Sequence, residues 1–354
     1  MRSSRQRSHR TLVLAAIAAT TAVILSACAS ASSGAPAGKA ATGPTTITIA
    51  LPVDAPSQAP VYLASKLGYF QQEGIDAHII VLSSDTAADS AMIAGSVQYT
   101  SVNAVALITA AEKGVPTQDI CTEYDGPEYA LAVSPATLAS SHASSGMATG
   151  ALLRALHGTK VGIVGTAVSA PGLILTGLLK EEGLPADWLS LVDITQSGLA
   201  AAYAHGEVGA VFDDQPVPDQ VVDQGGGKVV FDTDQIGSLA QVPWEGILGM
   251  RSYVSGNARV DKAVCAAIAE ADNYLLKDPA TASNDLAHSF GAISPALIAQ
   301  TIQSRKWAPG AGMTATAWTN AAKVLAGLGL VKQPSPAVLN GAFSTAYLPA
   351  GGSA

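Results

Sequence analysis

Charge is scarce in this chain of 354 residues: only 13% are Asp, Glu, Lys or Arg, and only 5% are aromatic. Against 48% hydrophobic residues, that scarcity excludes a disordered chain, because there is ample apolar surface to bury. Small aliphatic residues rather than rings supply it, which fits packed helices and parallel strands. Basic residues are the rarer sign. The formal charge is −8, and the first 27 residues hold Arg2, Arg5, Arg7 and Arg10 but no acid. Without that segment 15 bases face 27 acids, a balance of −12. Nucleic-acid affinity comes from clustered Lys and Arg, so no nucleic-acid partner is expected.

Several motifs are absent as well. There is no HExxH or CxxC, and the histidines do not cluster at ligand spacing, so no metal is expected. Nor is there a GxSxG, GxGxxG or P-loop, which leaves no common hydrolase or nucleotide signature and no cofactor to expect. Apolar runs are short too. The run Thr11 to Leu25 has 15 residues, below the ~20 that a bilayer span needs. It follows a basic stretch and precedes Leu25-Ser26-Ala27-Cys28, the layout of a secretory signal. Those four residues resemble the bacterial lipobox, which implies cleavage before Cys28 and lipid on its sulfur. Residues 1–27 then read as signal peptide and 28–45, small and polar, as a flexible tether. The protein would sit on the outer face of the cell membrane, held by lipid alone.

From Thr46 onward, strands and helices alternate. Thr46 to Ile49 reads as a strand, Pro60 to Glu73 as a helix and Ala77 to Leu82 as a strand. A helix at Thr86 to Ala94, a strand at Val97 to Ser101 and a helix at Ala104 to Lys113 follow. A second series starts with strand Lys160 to Val164 and helix Ala170 to Glu182, and continues through strands Leu189 to Asp193, Ala210 to Phe212 and Lys228 to Phe231. Such alternation predicts parallel βαβ units in two α/β lobes. The expected division is lobe one over 46–134, lobe two over 135–245, and a mostly helical return to lobe one over 246–354.

Four stretches then carry a family resemblance. They are Ala59-Pro60-Val61-Tyr62-Leu63-Ala64 with Leu67-Gly68-Tyr69-Phe70 and Glu73-Gly74-Ile75-Asp76; Ala94-Gly95-Ser96-Val97-Gln98-Tyr99; His157-Gly158-Thr159-Lys160-Val161-Gly162; and Gly206-Glu207-Val208-Gly209-Ala210. In this order they resemble the substrate-binding proteins of ABC importers, in the sulfonate, nitrate and thiamine-pyrimidine group called SsuA/THI5-like or NMT1/THI5-like. The resemblance implies a two-lobed type II periplasmic-binding-protein fold with a ligand cleft between the lobes. It implies a monomer that binds a small molecule, with an ABC permease and its ATPase as partners, and no enzyme activity. An enzyme acting on a pyrimidine-like ring, or a surface sensor without transport, are the alternatives. One departure stands out: where many members carry Trp and Glu before Pro, this chain reads Phe212-Asp213-Asp214-Gln215-Pro216. An acidic wall there suits an amine, a hydroxyl or a heterocycle N–H better than an anion.

Open α/β sheets bind ligands beyond the carboxyl ends of their strands, and that rule selects the candidate residues. Lobe one offers Gln58, Tyr62, Ser84, Asp85, Ser101 and Asn103; lobe two offers Thr166, Ser169, Asp213 and Asp214. Trp244, beside the expected second crossing, is a candidate ring-stacker, as is Tyr62. Ser84 and Asp85 equally suit helix capping. The crossings between lobes are expected near Val133 to Pro135 and near Pro243 to Leu248. Finally, Cys121 and Cys265 are a possible disulfide in an exported protein.

Overall fold

The computed structural model describes residues 43–82, 84–291 and 293–350. The signal, Cys28 and the tether as far as Thr42 lie outside the described residues. From Gly43 the chain forms one compact unit. Its strands are β1 Thr45–Leu51, β2 Ile75–Val81, β3 Tyr99–Asn103, β4 Thr117–Asp125, β5 Tyr129–Val133, β6 Lys160–Ile163, β7 Ser190–Asp193, β8 Ala210–Asp214, β9 Lys228–Asp232, β10 Pro243–Met250 and β11 Lys306–Trp307. They make two sheets, ordered β11-β4-β10-β3-β1-β2 and β7-β6-β8-β5-β9.

In the first sheet β1 lies parallel between β2 and β3, and β10 runs antiparallel between β3 and β4. In the second, β6 is parallel to β7 and β8, while β5 is antiparallel to β8 and β9. Strands β3 and β5 are buried at every position, so helices must cover both faces of each sheet. The longest of these, Ala258–Lys277, buries Val264, Ala267, Ile268, Ala271 and Leu275 against lobe one. It also buries Asp261, which accepts a 2.6 Å hydrogen bond from the Tyr99 hydroxyl and so keeps a partner away from water.

The structure corrects four expectations. The helix expected over Pro60 to Glu73 is two, Ala59–Lys66 and Tyr69–Gln72, because Gly68 turns the chain with φ +78°. Strand β4 was not expected at all, since Gln118, Asp119, Thr122, Glu123 and Asp125 disguise it as a polar loop. The first crossing lies between β4 and β5, at Gly126 to Glu128, because β5 hydrogen bonds within the second sheet. The second precedes Pro243, since all of β10 belongs to the first sheet.

Cys121 and Cys265 do come together, as β4 passes under the long helix, but both are free thiols. Cys121 donates to Cys265, whose own S–H donates to Ile120 O at 3.2 Å. Burial pushes both thiols up, so they pack as small uncharged side chains.

Candidate functional site

Register between strands assembles the site. Glu245 of β10 pairs with Asn103 of β3 on one side and Tyr124 of β4 on the other, so these three form a row at one end of the first sheet. In the second sheet, Tyr129 of β5 pairs with Asp214 of β8, and Ala130 with Asp213. The two rows meet across the lobes. The Ser57 hydroxyl hydrogen bonds Asp214. Arg305, just before β11, places Nη2 3.3 Å from Asp214 Oδ2 and 3.3 Å from Glu128 Oε2. Further along the same interface Gln300 Nε2 donates to Asp219 Oδ2 at 3.0 Å.

Within lobe one, Ser101 Oγ lies 2.5 Å from Glu123 Oε2 and 3.0 Å from Glu245 Oε1. A hydroxyl has one proton to give, so the second contact requires a proton on one of the carboxyls. Burial supplies the reason: it pushes Glu123 up to about 7, although Ser101 and Arg305 oppose the shift. Glu245 is raised well above the ordinary carboxylate range by burial and then by the charges of Asp85 and Glu123. Gln58 Nε2 reaches Glu245 Oε1 at 3.4 Å.

Asp85 and Asp213 complete the acidic surround. Asn103 Nδ2 donates to Asp85 Oδ2 at 3.1 Å, yet burial and the Asp214 charge leave Asp85 raised to about 6. Asp213, 7% exposed, accepts from the Asp214 backbone N–H at 2.8 Å. Burial, with the charges of Asp214 and Asp85, pushes it up to about 8. Aromatic rings close the space. Tyr124 lies under the Arg305 guanidinium at 4.3 Å, and Tyr129 stacks on Phe212 at 5.7 Å. Among the described residues, no group of three or more His, Cys, Asp or Glu side chains is arranged to hold a metal ion.

Of the residues expected from sequence, Gln58, Asp85, Ser101, Asn103, Asp213 and Asp214 thus fall in one polar cluster, with Asp85 and Asp214 partly exposed and the other four buried. Others are placed differently. Ser84 caps helix Asp85–Ile93 by accepting from Ala87 N, a local role its type favours. Tyr62 donates to Asp54 Oδ1 at 2.7 Å and meets Phe290 edge-on at 4.9 Å. Thr166 and Ser169 serve their own exposed loop: Ser169 Oγ lies 2.7 Å from Thr166 O and 3.1 Å from Val164 O, with one proton to give, and Thr166 Oγ1 accepts from Val168 N. Trp244 is core, 1% exposed, with its ring edge against Tyr129.

Sequence reasoning missed Glu123, Tyr124, Glu128, Tyr129, Glu245 and Arg305. Glu245 was the most findable, since it adjoins Trp244 at a strand start. Arg305 lies 91 residues beyond Asp214, farther still beyond Glu128, and has no local mark.

A family model described as NMT1/THI5 like matches residues 55–282, more than half of the chain. The chain belongs to the NMT1/THI5-like family. No curated protein matches it. Among solved structures it is similar to a protein of Bordetella bronchiseptica RB50, with TM-score 0.73 and 19% identity, covering 86% of this chain and 95% of that one. It is also similar to the alkanesulfonate-binding protein SsuA of Xanthomonas axonopodis pv. citri, at TM-score 0.66 and 17% identity, covering 86% and 99%. A third is the periplasmic nitrate-binding protein NrtA of Synechocystis PCC 6803, at TM-score 0.68 and 13% identity, covering 86% and 87%. At these identities the likeness is one of fold. This member of the NMT1/THI5-like family has the two-lobed α/β architecture of periplasmic binding proteins.

Proposed function

We propose that this protein captures a small polar organic molecule between its lobes and delivers it to the permease of an ABC importer, acting as a monomer without catalysis. One observation carries the reading: polar side chains from both lobes, with buried acceptor atoms of Gln58, Glu123 and Asp213 unpartnered, meet between two sheets that the chain joins by two connections. Polar groups left so by the protein itself are what a ligand would satisfy. The similar structures named as alkanesulfonate- and nitrate-binding proteins support the solute-binding role. Domain closure would couple to capture, because a ligand shifts the open–closed balance by its differential affinity for the two forms.

The site is proposed to comprise Gln58, Asp85, Ser101, Asn103, Asp213 and Asp214. A screen of sulfonates, pyrimidines, amines and aromatic acids by thermal shift tests the reading. A ligand present at 100 times its Kd adds about 2.7 kcal/mol of stability. If no small solute raises the melting temperature, solute capture is wrong.

The anchor belongs to the same proposal. Lipid on Cys28 would hold the exported protein at the outer face of the membrane; among the described residues, no helix is long and apolar enough to cross it. Substituting Cys28→Ala is expected to release the protein from washed membranes into the soluble fraction. Retention of that variant on the membrane would refute the anchor.

A further inference from the structure

The lobes bring together more negative charge than they balance. Arg305 is the buried cation at this site, and Asp214 and Glu128 already meet its charge; Lys306 beside it also acts on Glu128 but is half-exposed and paired with Asp234 at 3.2 Å. Although Arg305 Nε and Nη1 lack acceptors, the charge left without a counter-ion is negative. The charge of Asp214 acts on Asp85 and that of Asp85 on Asp89, those of Asp214 and Asp85 act on Asp213, and those of Asp85, Glu123 and Asp214 act on Glu245. Register sets Glu245 beside Asn103, which bonds Asp85 at 3.1 Å. The phenols of Tyr124 and Tyr129 border the same carboxyls and add no positive charge.

A second observation points to the missing partner. Gln58, 1% exposed, leaves Oε1 without a donor, and Glu123 Oε1 and Asp213 Oδ2, both more than nine-tenths buried, are likewise unpartnered acceptors. These atoms call for hydrogen-bond donors, and the uncompensated negative charge beside them calls for donors that carry positive charge. The Tyr129 ring, stacked on Phe212 and in edge contact with Trp244, is occupied by its own neighbours and borders the same carboxyls. The described carboxyls are not arranged as a metal site.

We propose that the cleft selects a small organic cation bearing N–H groups, a primary ammonium or amidinium ion, placed between Asp85 and Glu245 of one lobe and Asp213 of the other. The proposal rests on the solute-binding reading and names its ligand class. It also supplies a reason for closure. Without a cation, carboxyls of the two lobes repel when brought together and take up protons; a cation between them replaces those protons and lets the closed form persist.

The experiment uses the full-length protein with ethanolamine, putrescine and benzamidine as cations, sodium ethanesulfonate and sodium nitrate as anions, and glycerol and uracil as neutral probes, all at matched ionic strength. The expected result is a rise in melting temperature at pH 7.5 with at least one cation and with neither anion. Titration calorimetry of that cation in two buffers of different ionisation enthalpy should show protons released on binding. Asp213→Asn and Asp85→Asn, isosteric changes on opposite lobes, should each weaken that binding about tenfold or more. Stabilisation by an anion or a neutral probe alone would overturn the ligand class and leave solute capture standing. No stabilisation by any probe overturns both. Cation binding untouched by both substitutions, or without proton release, would place the cation elsewhere and overturn the proposal.

Discussion

Arg305 shows how much one buried side chain can depend on its partners. Its guanidinium has no exposed surface, and Nη2 meets Asp214, Glu128 and the Gln215 carbonyl while the plane rests on Tyr124. Desolvating an ion is costly, and the paired carboxylates offset that cost only while all of them stay. Arg305→Ala is therefore expected to destabilise the protein by about 3–5 kcal/mol, because it strands two acids. Chemical denaturation of the two proteins checks this, and a loss below about 1 kcal/mol would show that water reaches the pair. Ser101 works on a smaller scale. Its oxygen gives one proton and accepts another, so Glu123 and Glu245 can stand on either side of it when one of the two carboxyls is protonated.

At the level of elements, the site is built by strand ends. Antiparallel β10, inserted between parallel-running β3 and β4, puts its first residues beside their last ones, so Glu245, Asn103 and Tyr124 converge. The helices that follow are started by the same residues: Asn103 accepts from Ala106 N at 3.0 Å and opens helix Ala104–Glu112. The crossings are equally specific. Gly126 N donates to Val242 O at 2.8 Å and so ties the first crossing to the second. It has φ +73°, and a Cβ there would stand 3.2 Å from Ala240 Cα and 3.3 Å from Leu239 O, both backbone atoms. Gly126→Ala is expected to cost about 1–3 kcal/mol through the strained backbone. Its melting temperature and the ligand-induced change in radius of gyration report this, and an unchanged pair of values would mean the crossing relaxes freely.

For the molecule as a whole, the acidic cleft makes stability depend on pH. Asp85, Glu123 and Asp213 are pushed up to about 6, 7 and 8, first by burial, against about 4 in the unfolded chain. The folded state thus holds more protons than the unfolded state between about pH 4 and pH 8, so it loses stability as pH rises through that window. The melting temperature of the ligand-free protein is expected to be higher at pH 5 than at pH 8, and Asp213→Asn to flatten the slope. A melting temperature that rises from pH 5 to pH 8 would contradict this account.

The alternation of strands and helices, the order of four family motifs and the acid pair Asp213-Asp214 at a strand end were all legible in the sequence. Each rests on local periodicity or on side chains adjacent in the chain. Two α/β lobes follow from such signals, as do Gln58, Asp85, Ser101 and Asn103 at the ends of parallel strands. Tertiary structure alone decided what those residues meet. Glu245 reaches Ser101 across 144 positions, and Arg305 reaches Asp214 across 91. Strand β4 hid for the same reason: its Asp119 and Glu123 carry the local marks of a solvated loop and are buried only because β10 and the long helix cover them. Burial is a property of the whole fold. A carboxylate in sequence is the same group whether it faces water or another carboxylate, and only the packed structure sets which.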